Sequence, residues 1–202
     1  MSRPLGRGIQ VDPLDSQAGR AGQAGALANF WLALCAGLTG LGGMLGMPEL
    51  AQLVSGWAKA GRIEWIGVRP GRRLDMMALG QAMIREDGVE GDRSRPGKRA
   101  VTLIQHEHLA AIGSYLGQGP VTPDVLRRNL VVSGINLGAL KGREVQVGTA
   151  ILRITVICAP CSRMEEALGS GGYSAVRGHG GWCAEVVRSG MVGLGDAVQP
   201  VD

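Results

Sequence analysis

The residues with the clearest chemical potential lie between positions 154 and 168, where an apolar run leads into Cys158 and Cys161. Cys161 is followed by a charged segment that is typical of a helix beginning near Ser162. A helix dipole favours the thiolate form of a cysteine at its N-terminus, and the guanidinium of Arg163 would add to this effect. A thiolate in such a position can act as a nucleophile, carry a persulfide sulfur or ligate a soft metal.

Cys158 and Cys161 are also spaced as a C-x-x-C pair, and a strand followed by C-x-x-C and a helix suits a dithiol redox site. The sequence ahead of the motif does not match a thioredoxin-like protein, because short strands and glycine turns replace the required βαβ unit. Cys158 ends the apolar run and fits the alternative of a buried structural cysteine. The three histidines do not complete a zinc-ligand spacing with the cysteines, so no structural zinc site is predicted.

Basic side chains adjoin glycine or a strand start at three places in the chain. Guanidinium groups beside glycine-rich backbone offer paired donors and unobstructed N–H groups, which a phosphate or pterin ligand requires. For any single arginine the alternative is a solvated surface charge. His179 is the histidine that best fits a site, since it lies in a glycine-rich loop. The three clusters are Arg93, Arg95, Lys98 and Arg99; Arg127 and Arg128; and Arg177, which precedes His179.

The composition limits the class of protein. With 202 residues, of which 45% are hydrophobic, the chain has the length and apolar content for one domain with its own core. Four scattered cysteines are too few for a disulfide scaffold and indicate a reducing, cytoplasmic location. A net charge of +4 suits a small anionic ligand, and no Lys/Arg-rich run with interleaved aromatics indicates nucleic-acid binding.

Short alternating runs, separated by glycine turns, predict the framework that positions these residues. Many short strands with few helices favour an α+β domain that is mainly β, a barrel or a sandwich, over a parallel α/β sheet. Closure into a barrel would remove exposed strand edges. The predicted strands cover residues 62–68, 74–84, 100–105, 129–134, 145–147, 150–157, 183–187 and 197–201, and the predicted helices cover 48–59, 106–115 and 123–128.

The first 46 residues are a different kind of sequence. Residues 2–20 are polar without a sustained period, and no charge occurs between Arg20 and Glu49. We interpret residues 1–46 as a leader, either disordered or an upstream extension of the reading frame, ahead of a domain over 47–202. The uncharged stretch also permits a hydrophobic helix over 24–47, with an export or membrane segment as the alternative. Its glycine content argues against a span, so no membrane association is predicted.

Taken in order, the motifs downstream of Gly61 resemble those of the MOSC domain in its short, stand-alone bacterial form. No single motif is specific to the family, but the order and spacing of the motifs are specific. No residue before about position 47 belongs to the resemblance. The matching stretches are residues 64–70, 88–93, 101–105 with Glu107, 127–137, 140–142 with 147–150, 158–165, 177–181 and 195–198.

The resemblance implies a MOSC-type closed β-barrel with a few short peripheral helices, which binds molybdenum cofactor, a molybdopterin, at one mouth. The hallmark cysteine of the family corresponds to Cys161, as a metal ligand or a persulfide carrier. An R-x-N element that contacts the phosphate side of the pterin in relatives corresponds to Arg127 and Asn129. Together with the basic clusters, the predicted cofactor-binding residues are Arg93, Arg127, Asn129, Arg163, Arg177 and His179.

The leading functional hypothesis is therefore a molybdenum-cofactor-binding protein. It would act either as an oxidoreductase component that reduces N-hydroxylated compounds or as a sulfur transferase that carries a persulfide. No ferredoxin-like or cysteine-desulfurase pattern accompanies the motifs, so an external electron or sulfur donor protein is the expected partner. The alternatives are a non-catalytic binding or scaffold module and a dithiol redox protein that uses Cys158 and Cys161.

Overall fold

Eleven strands occur in residues 49–201, which is the part of the chain that the computed structural model describes. The predictions for residues 1–46 and for a helix over 24–47 lie outside this part. The strands are β1 (Gly61–Val68), β2 (Met77–Leu79), β3 (Gln81–Arg85), β4 (Gly88–Val89), β5 (Val101–Gln105), β6 (Leu130–Ser133), β7 (Glu144–Val147), β8 (Ala150–Ile157), β9 (Trp182–Arg188), β10 (Gly190–Gly193) and β11 (Ala197–Pro200).

The helices in the same part of the chain are short. They are α1 (Leu50–Ser55), α2 (His106–Tyr115), α3 (Pro123–Leu126), α4 (Ser162–Leu168) and α5 (Gly172–Val176), with one turn of 3-10 helix at Leu137–Leu140. None of them has the length and the apolar character that crossing a bilayer requires.

Seven of the strands close into a barrel, in the order β1, β11, β7, β8, β9, β5, β6 and back to β1. All neighbouring pairs are antiparallel except β5 and β6, which run parallel. β2 extends the sheet from β1, and β10, β3 and β4 form a separate small sheet. The predicted mainly β fold with a closed barrel is therefore confirmed, and the sandwich alternative is wrong.

The barrel closes between its first and last strands. Besides two residue pairs of β1 with β11, two backbone bonds hold this seam. The N–H of Ile63 donates to the carbonyl of Asp196 at 2.9 Å, and the N–H of Gly195 donates to the carbonyl of Ile63 at 2.8 Å. The two pairs are Gly61 with Val198 and Arg62 with Ala197.

The parallel pair β5 and β6 is buried on both faces, as parallel strands generally are. Parallel strands need a crossover connection, and α2 and α3 supply it here. The helices pack on the outer face of the pair, where Leu126 of α3 and Met164 of α4 are buried. Leu103, Leu130 and Val132 face the barrel core, and Ile104 and Val131 face the helices. This packing fixes the C-terminal end of α3 and the N-terminal end of α4 on the barrel.

The first described helix differs from its prediction over residues 48–59. α1 ends at Ser55 and therefore before Trp57, which was expected on the same apolar face. No α1 residue is buried among the described residues, and Leu50, Leu53 and Val54 are all exposed. Arg143 makes the contacts to this segment. Its Nη1 donates to the carbonyl of Ser55 at 2.8 Å, and its guanidinium lies 5.5 Å from the ring centroid of Trp57.

Other differences concern the shortest elements. The strand predicted over 74–84 is divided at Gly80 into β2 and β3. β4, β10 and α5 were not predicted, because two to five residues are too few to show a hydrophobic period.

The two-sided burial of β5 and β6 leads to a stability prediction. Ile104→Ala should lower the free energy of unfolding by about 2–5 kcal/mol, because the side chain is fully buried between strand and helices. Urea denaturation followed by circular dichroism measures the change. The matched control is Val187→Ala on the exposed face of β9, for which a loss below about 0.5 kcal/mol is expected. Equal losses for the two variants would contradict the two-sided packing.

Candidate functional site

Basic side chains from four separate segments converge on one surface, which we call the basic groove. The groove consists of three adjoining cavities of about 470, 100 and 360 Å³. The first two share Arg93, Ser94 and Arg99, and the second and third share Met76 and Arg127. The basic residues that line the groove are Arg69, Arg93, Arg95, Lys98, Arg99, Arg127 and Arg163.

The backbone of Arg127 adopts a conformation that is unfavourable for any residue except glycine. Arg127 follows the last residue of α3 with φ 58° and ψ 46°, in the left-handed region. Glycine is the usual residue at such a helix end, since a Cβ atom costs about 1–2 kcal/mol there. The side chain is held by one bond, from Nη2 to the carbonyl of Leu74 at 3.1 Å. Strain of this kind is frequent at functional sites, which makes Arg127 a candidate site residue.

The guanidinium groups of the groove repel one another and are incompletely paired. Burial, followed by the charges of Arg69 and Arg163, lowers the pKa of Arg127 from its ordinary value, while Asp75 and Cys161 partly oppose this. The Nε atoms of Arg69 and Arg127 are buried without a hydrogen-bond partner among the described residues. Within residues 49–201 no basic residue of the groove reaches a carboxylate at salt-bridge distance. An anion bound here would gain unpaired donors and relieve this repulsion.

Asn129 ties together the strand ends beneath the groove. Its Oδ1 accepts hydrogen bonds from the backbone N–H of Thr102 at 3.0 Å and from the Thr102 hydroxyl at 2.7 Å. Its Nδ2 donates to the carbonyl of Gly67 at 3.2 Å. The side chain lines the middle cavity, but it is 5% exposed and its amide is committed to β1 and β5. Asn129 therefore positions its neighbours.

Cys161 lies at the start of α4, as the sequence predicted. It is the N-cap residue of this seven-residue helix, its carbonyl accepts from the N–H of Met164 at 2.9 Å, and its side chain is exposed. Arg163, Met164 and two further α4 residues line the outer cavity of the groove. Cys161 is not a lining residue of the three cavities, but it directly precedes the helix whose residues line the outer one. The thiol therefore lies at the edge of the basic groove.

Comparison with known proteins decides the family. A sequence model of the MOSC domain matches residues 73–199 of this chain. The chain belongs to the MOSC domain family. No curated protein sequence matches it at a significant level.

Solved structures with the MOSC barrel of this chain come from several bacteria. YuaD from Bacillus subtilis is 20% identical over 69% of this chain and 94% of its own, with a TM-score of 0.61. YiiM from Geobacillus stearothermophilus is 18% identical over 70% of this chain and 75% of its own, with a TM-score of 0.59. YiiM from Escherichia coli is 21% identical over 70% of each chain, with a TM-score of 0.55. At these identities the likeness concerns the fold alone.

Cys158 of this MOSC chain differs from the buried structural cysteine that the sequence suggested. It is only partly buried, directly after β8. Interaction with the neighbouring thiol of Cys183 lowers the pKa of Cys158 to about 6 against the opposing effect of burial. The charges of Arg128 and Arg99 lower it further. The same interaction, together with burial, raises the pKa of Cys183.

Arg128 is a buried cation beneath this pair of thiols. Its Nε donates to the carbonyl of Gly180 at 2.6 Å and its Nη1 donates to the carbonyl of Leu126. It thus joins the end of α3 to the loop ahead of β9. With 6% of its surface exposed, Arg128 acts as part of the framework and as a fixed positive charge near Cys158.

Two of the predicted cofactor-binding residues do not line the basic groove of this MOSC domain. Arg177 and His179 line a separate cavity of about 460 Å³ together with Tyr115. His179 contacts His108, whose Nδ1 lies 3.2 Å from the His179 carbonyl, and burial followed by the charge of His179 lowers the pKa of His108. The glycine-rich loop context grouped His179 with the cofactor-binding residues, whereas the structure places it at this separate cavity. Arg93, Arg127, Asn129 and Arg163 do line the groove.

The predicted cofactor-binding residues did not include Arg69 or Arg99, and Cys158 was not paired with Cys183. Arg69 directly follows a predicted strand, the position from which a side chain reaches the rim of a barrel. Arg99 was named in the basic cluster after the glycine loop. Cys158 was considered as a buried cysteine or as part of the C-x-x-C pair, because Cys183 is 25 residues away in the chain and is adjacent only after β8 and β9 pair.

The left-handed backbone of Arg127 allows a test that separates stability from binding. Arg127→Gly should change the free energy of unfolding by no more than about 1 kcal/mol, because relief of strain offsets the lost bond to Leu74. Affinity for inorganic pyrophosphate, measured by isothermal titration calorimetry, should fall about ten-fold or more, since a bond to a charged group contributes about 1.5–3 kcal/mol.

Arg73 provides the matched control for this test. It is the other non-glycine residue with a positive φ in the described part, at 67°, and it lies outside the three cavities of the groove. Arg73→Gly relieves similar strain and should keep full affinity for pyrophosphate. An equal loss of affinity in both variants would show that Arg127 has no specific part in binding anions.

The pKa of Cys158 predicts a distinctive pH dependence of alkylation. In the Cys161→Ser background, the rate of iodoacetamide labelling at Cys158 should be half-maximal near pH 6, because the thiolate forms as the pH rises through a pKa of about 6. The rate should be constant at and above neutral pH, whereas an ordinary thiol with a pKa of about 8.5 is still gaining reactivity there. Cys183→Ala removes the thiol that stabilises the Cys158 thiolate and should move the midpoint upward. An unchanged midpoint in that variant would contradict the assignment of its cause.

Proposed function

We propose that this chain binds molybdenum cofactor, with the phosphate of the pterin in the basic groove and Cys161 at the metal. The observation that carries the proposal is that the buried Nε atoms of Arg69 and Arg127 have no hydrogen-bond partner within residues 49–201, in a cavity continuous with the start of α4. A phosphate-bearing ligand matches those donors in charge and in bonding geometry. Membership of the MOSC family, which is associated with this cofactor, supports the same choice.

The donor set of the groove fits the two ends of such a ligand. Guanidinium groups bind phosphate through paired N–H donors, and several lie within the groove. A thiolate is the soft ligand that suits a metal already bound by sulfur. Residues 49–201 contain no group of three or more His, Cys, Asp or Glu side chains arranged to hold a metal ion. Cys161 would thus be a lone protein ligand, which fits a metal that brings its other ligands with it.

Some residues of the groove would bind the ligand, and others hold the binding residues in position. Arg69 and Arg127 bind the phosphate, and Arg163 adds positive charge beside Cys161. Asp92 fixes the chain at Arg69 by accepting its backbone N–H at 2.6 Å, and Asn129 aligns the strand ends. The chemistry supplied by the bound cofactor is a change of oxidation state at molybdenum, which suits the removal of oxygen from N-hydroxylated compounds. An external donor protein would supply the electrons.

A second candidate role is that of a sulfur carrier. The exposed position of Cys161 favours it, because transfer of a persulfide sulfur to or from another protein needs an accessible thiol. A sulfur donor protein would then be the partner. In this role the groove would bind the pterin of the acceptor, and Cys161 would present the sulfur beside it.

Native mass spectrometry tests the cofactor proposal. The protein is purified without oxygen from cells that synthesise molybdenum cofactor, together with Cys161→Ser and Cys158→Ser. Bound molybdopterin with its metal is expected in the parent and in Cys158→Ser and should be lost in Cys161→Ser. The Cys158 variant is the control, because it removes a neighbouring thiol and leaves the proposed metal ligand in place.

The other outcomes distinguish the alternatives. A mass gain of one sulfur that depends on Cys161, without cofactor, would favour the sulfur carrier. An equal loss of redox activity in Cys158→Ser and Cys161→Ser would favour a dithiol protein that uses both thiols. Protein without cofactor or extra sulfur in every sample would refute the proposal and leave a binding or scaffold module.

A further inference from the structure

Strand pairing brings two cysteines together outside the proposed cofactor site. Cys158 follows β8, and Cys183 lies in β9, its antiparallel neighbour. The N–H of Cys158 donates to the carbonyl of Gly181 at 2.9 Å, so Cys158 lies opposite Gly181. Cys183 is two residues further along β9 and therefore on the same face. The two cysteines are diagonal neighbours across the strand pair.

A local irregularity lies where these two cysteines approach each other. Between the pairs Ile154–Ala184 and Ile157–Trp182, β8 has two residues where β9 has only Cys183. Such an extra residue is a β-bulge, which bends the strand and increases its twist. The two side chains are near enough for each to shift the pKa of the other.

The two cysteines differ in ways that assign them different parts in a reaction. Cys158 is partly accessible and is flanked by the positive charges of Arg99 and Arg128. Those charges favour the thiolate and attract an anionic reagent. Cys183 is 1% exposed, so an outside reagent meets Cys158 first.

We propose that Cys158 and Cys183 form a redox-active dithiol that glutathione disulfide, an anionic low-molecular-weight disulfide, converts into an intramolecular disulfide. The Cys158 thiolate attacks one sulfur of glutathione disulfide, breaks the S–S bond and releases one glutathione thiolate. Cys183 then loses its proton to that thiolate or to solvent and attacks the Cys158 sulfur, which releases the second glutathione. The two protein thiols are oxidised by two electrons, and one glutathione disulfide is reduced to two glutathione molecules.

The second step is possible because the mixed disulfide changes the surroundings of Cys183. The Cys158 thiolate raises the pKa of Cys183 through its interaction with the thiol proton and through its negative charge, and burial raises it as well. The two effects of the Cys158 thiolate are lost when Cys158 enters a mixed disulfide, so the pKa of Cys183 falls although burial remains. Cys161 takes no part, since it lies exposed at the start of α4 and outside the paired strands β8 and β9 that bring Cys158 and Cys183 together. The inference is therefore independent of the proposed function.

Peptide mapping with trypsin tests the pairing directly. Reduced protein is treated with glutathione disulfide, alkylated with iodoacetamide and digested without reductant. Residues 154–163 form one tryptic peptide that contains Cys158 and Cys161, and residues 178–188 form another that contains Cys183. We expect these two peptides to be linked, with Cys161 alkylated, and the intact monomer to be lighter by two hydrogen atoms.

Cysteine variants distinguish a Cys158–Cys183 disulfide from the other possible products. Cys161→Ser should form the same link as the parent, whereas Cys183→Ala should lose it and retain glutathione on Cys158. A disulfide within the peptide 154–163 would overturn the proposal in favour of the C-x-x-C pair. A stable glutathione adduct on Cys158 of the parent protein, or no oxidation of Cys158 at all, would overturn it as well. Circular dichroism of each variant confirms that the measured protein is folded.

Discussion

The parallel pairing of β5 with β6 is the interaction on which the site depends. A parallel pair needs a crossover, and the crossover through α2 and α3 ends at Arg127 before the chain enters β6. Because both faces of the pair are buried, the helices are held against the barrel by an apolar cluster that also includes Met164 of α4. One packing arrangement therefore fixes two distant segments, one with the strained Arg127 and the other with Cys161.

The electrostatics of the site follow from this placement. Several arginines are brought together where no described carboxylate pairs with them, and the cost appears as a lowered pKa at Arg127 and as unpaired Nε atoms. The folded domain sustains this unfavourable arrangement because its stability comes from the core. Repulsion that is present before binding becomes attraction once an anion occupies the groove, so a binding site of this kind is destabilising when empty.

The sequence predicted features that depend on neighbouring residues and missed features that depend on contacts between distant segments of the chain. The strands with sustained alternation and the helix start at Cys161 are local features, and the structure confirms them. The environment of Cys158 was misjudged because it depends on a bulge and on a strand partner that the local pattern does not reveal. His179 was assigned by its glycine-rich loop, yet α2 carries Tyr115 and His108 to it and defines another cavity. The cytoplasmic location, the donor protein and the role of the leader remain predictions.

The seam between β1 and β11 has a consequence for how the domain assembles. Its residue pairs, such as Gly61 with Val198, join nearly opposite ends of the described chain. The entropy lost in closing so long a loop is compensated only when the intervening strands are already in place. The other strand pairings are therefore expected to form first, so that ring closure comes late in folding. Until the ring closes, β1 and β11 each present an unpaired strand edge. A partly folded chain is therefore most prone to associate with other protein molecules at this stage.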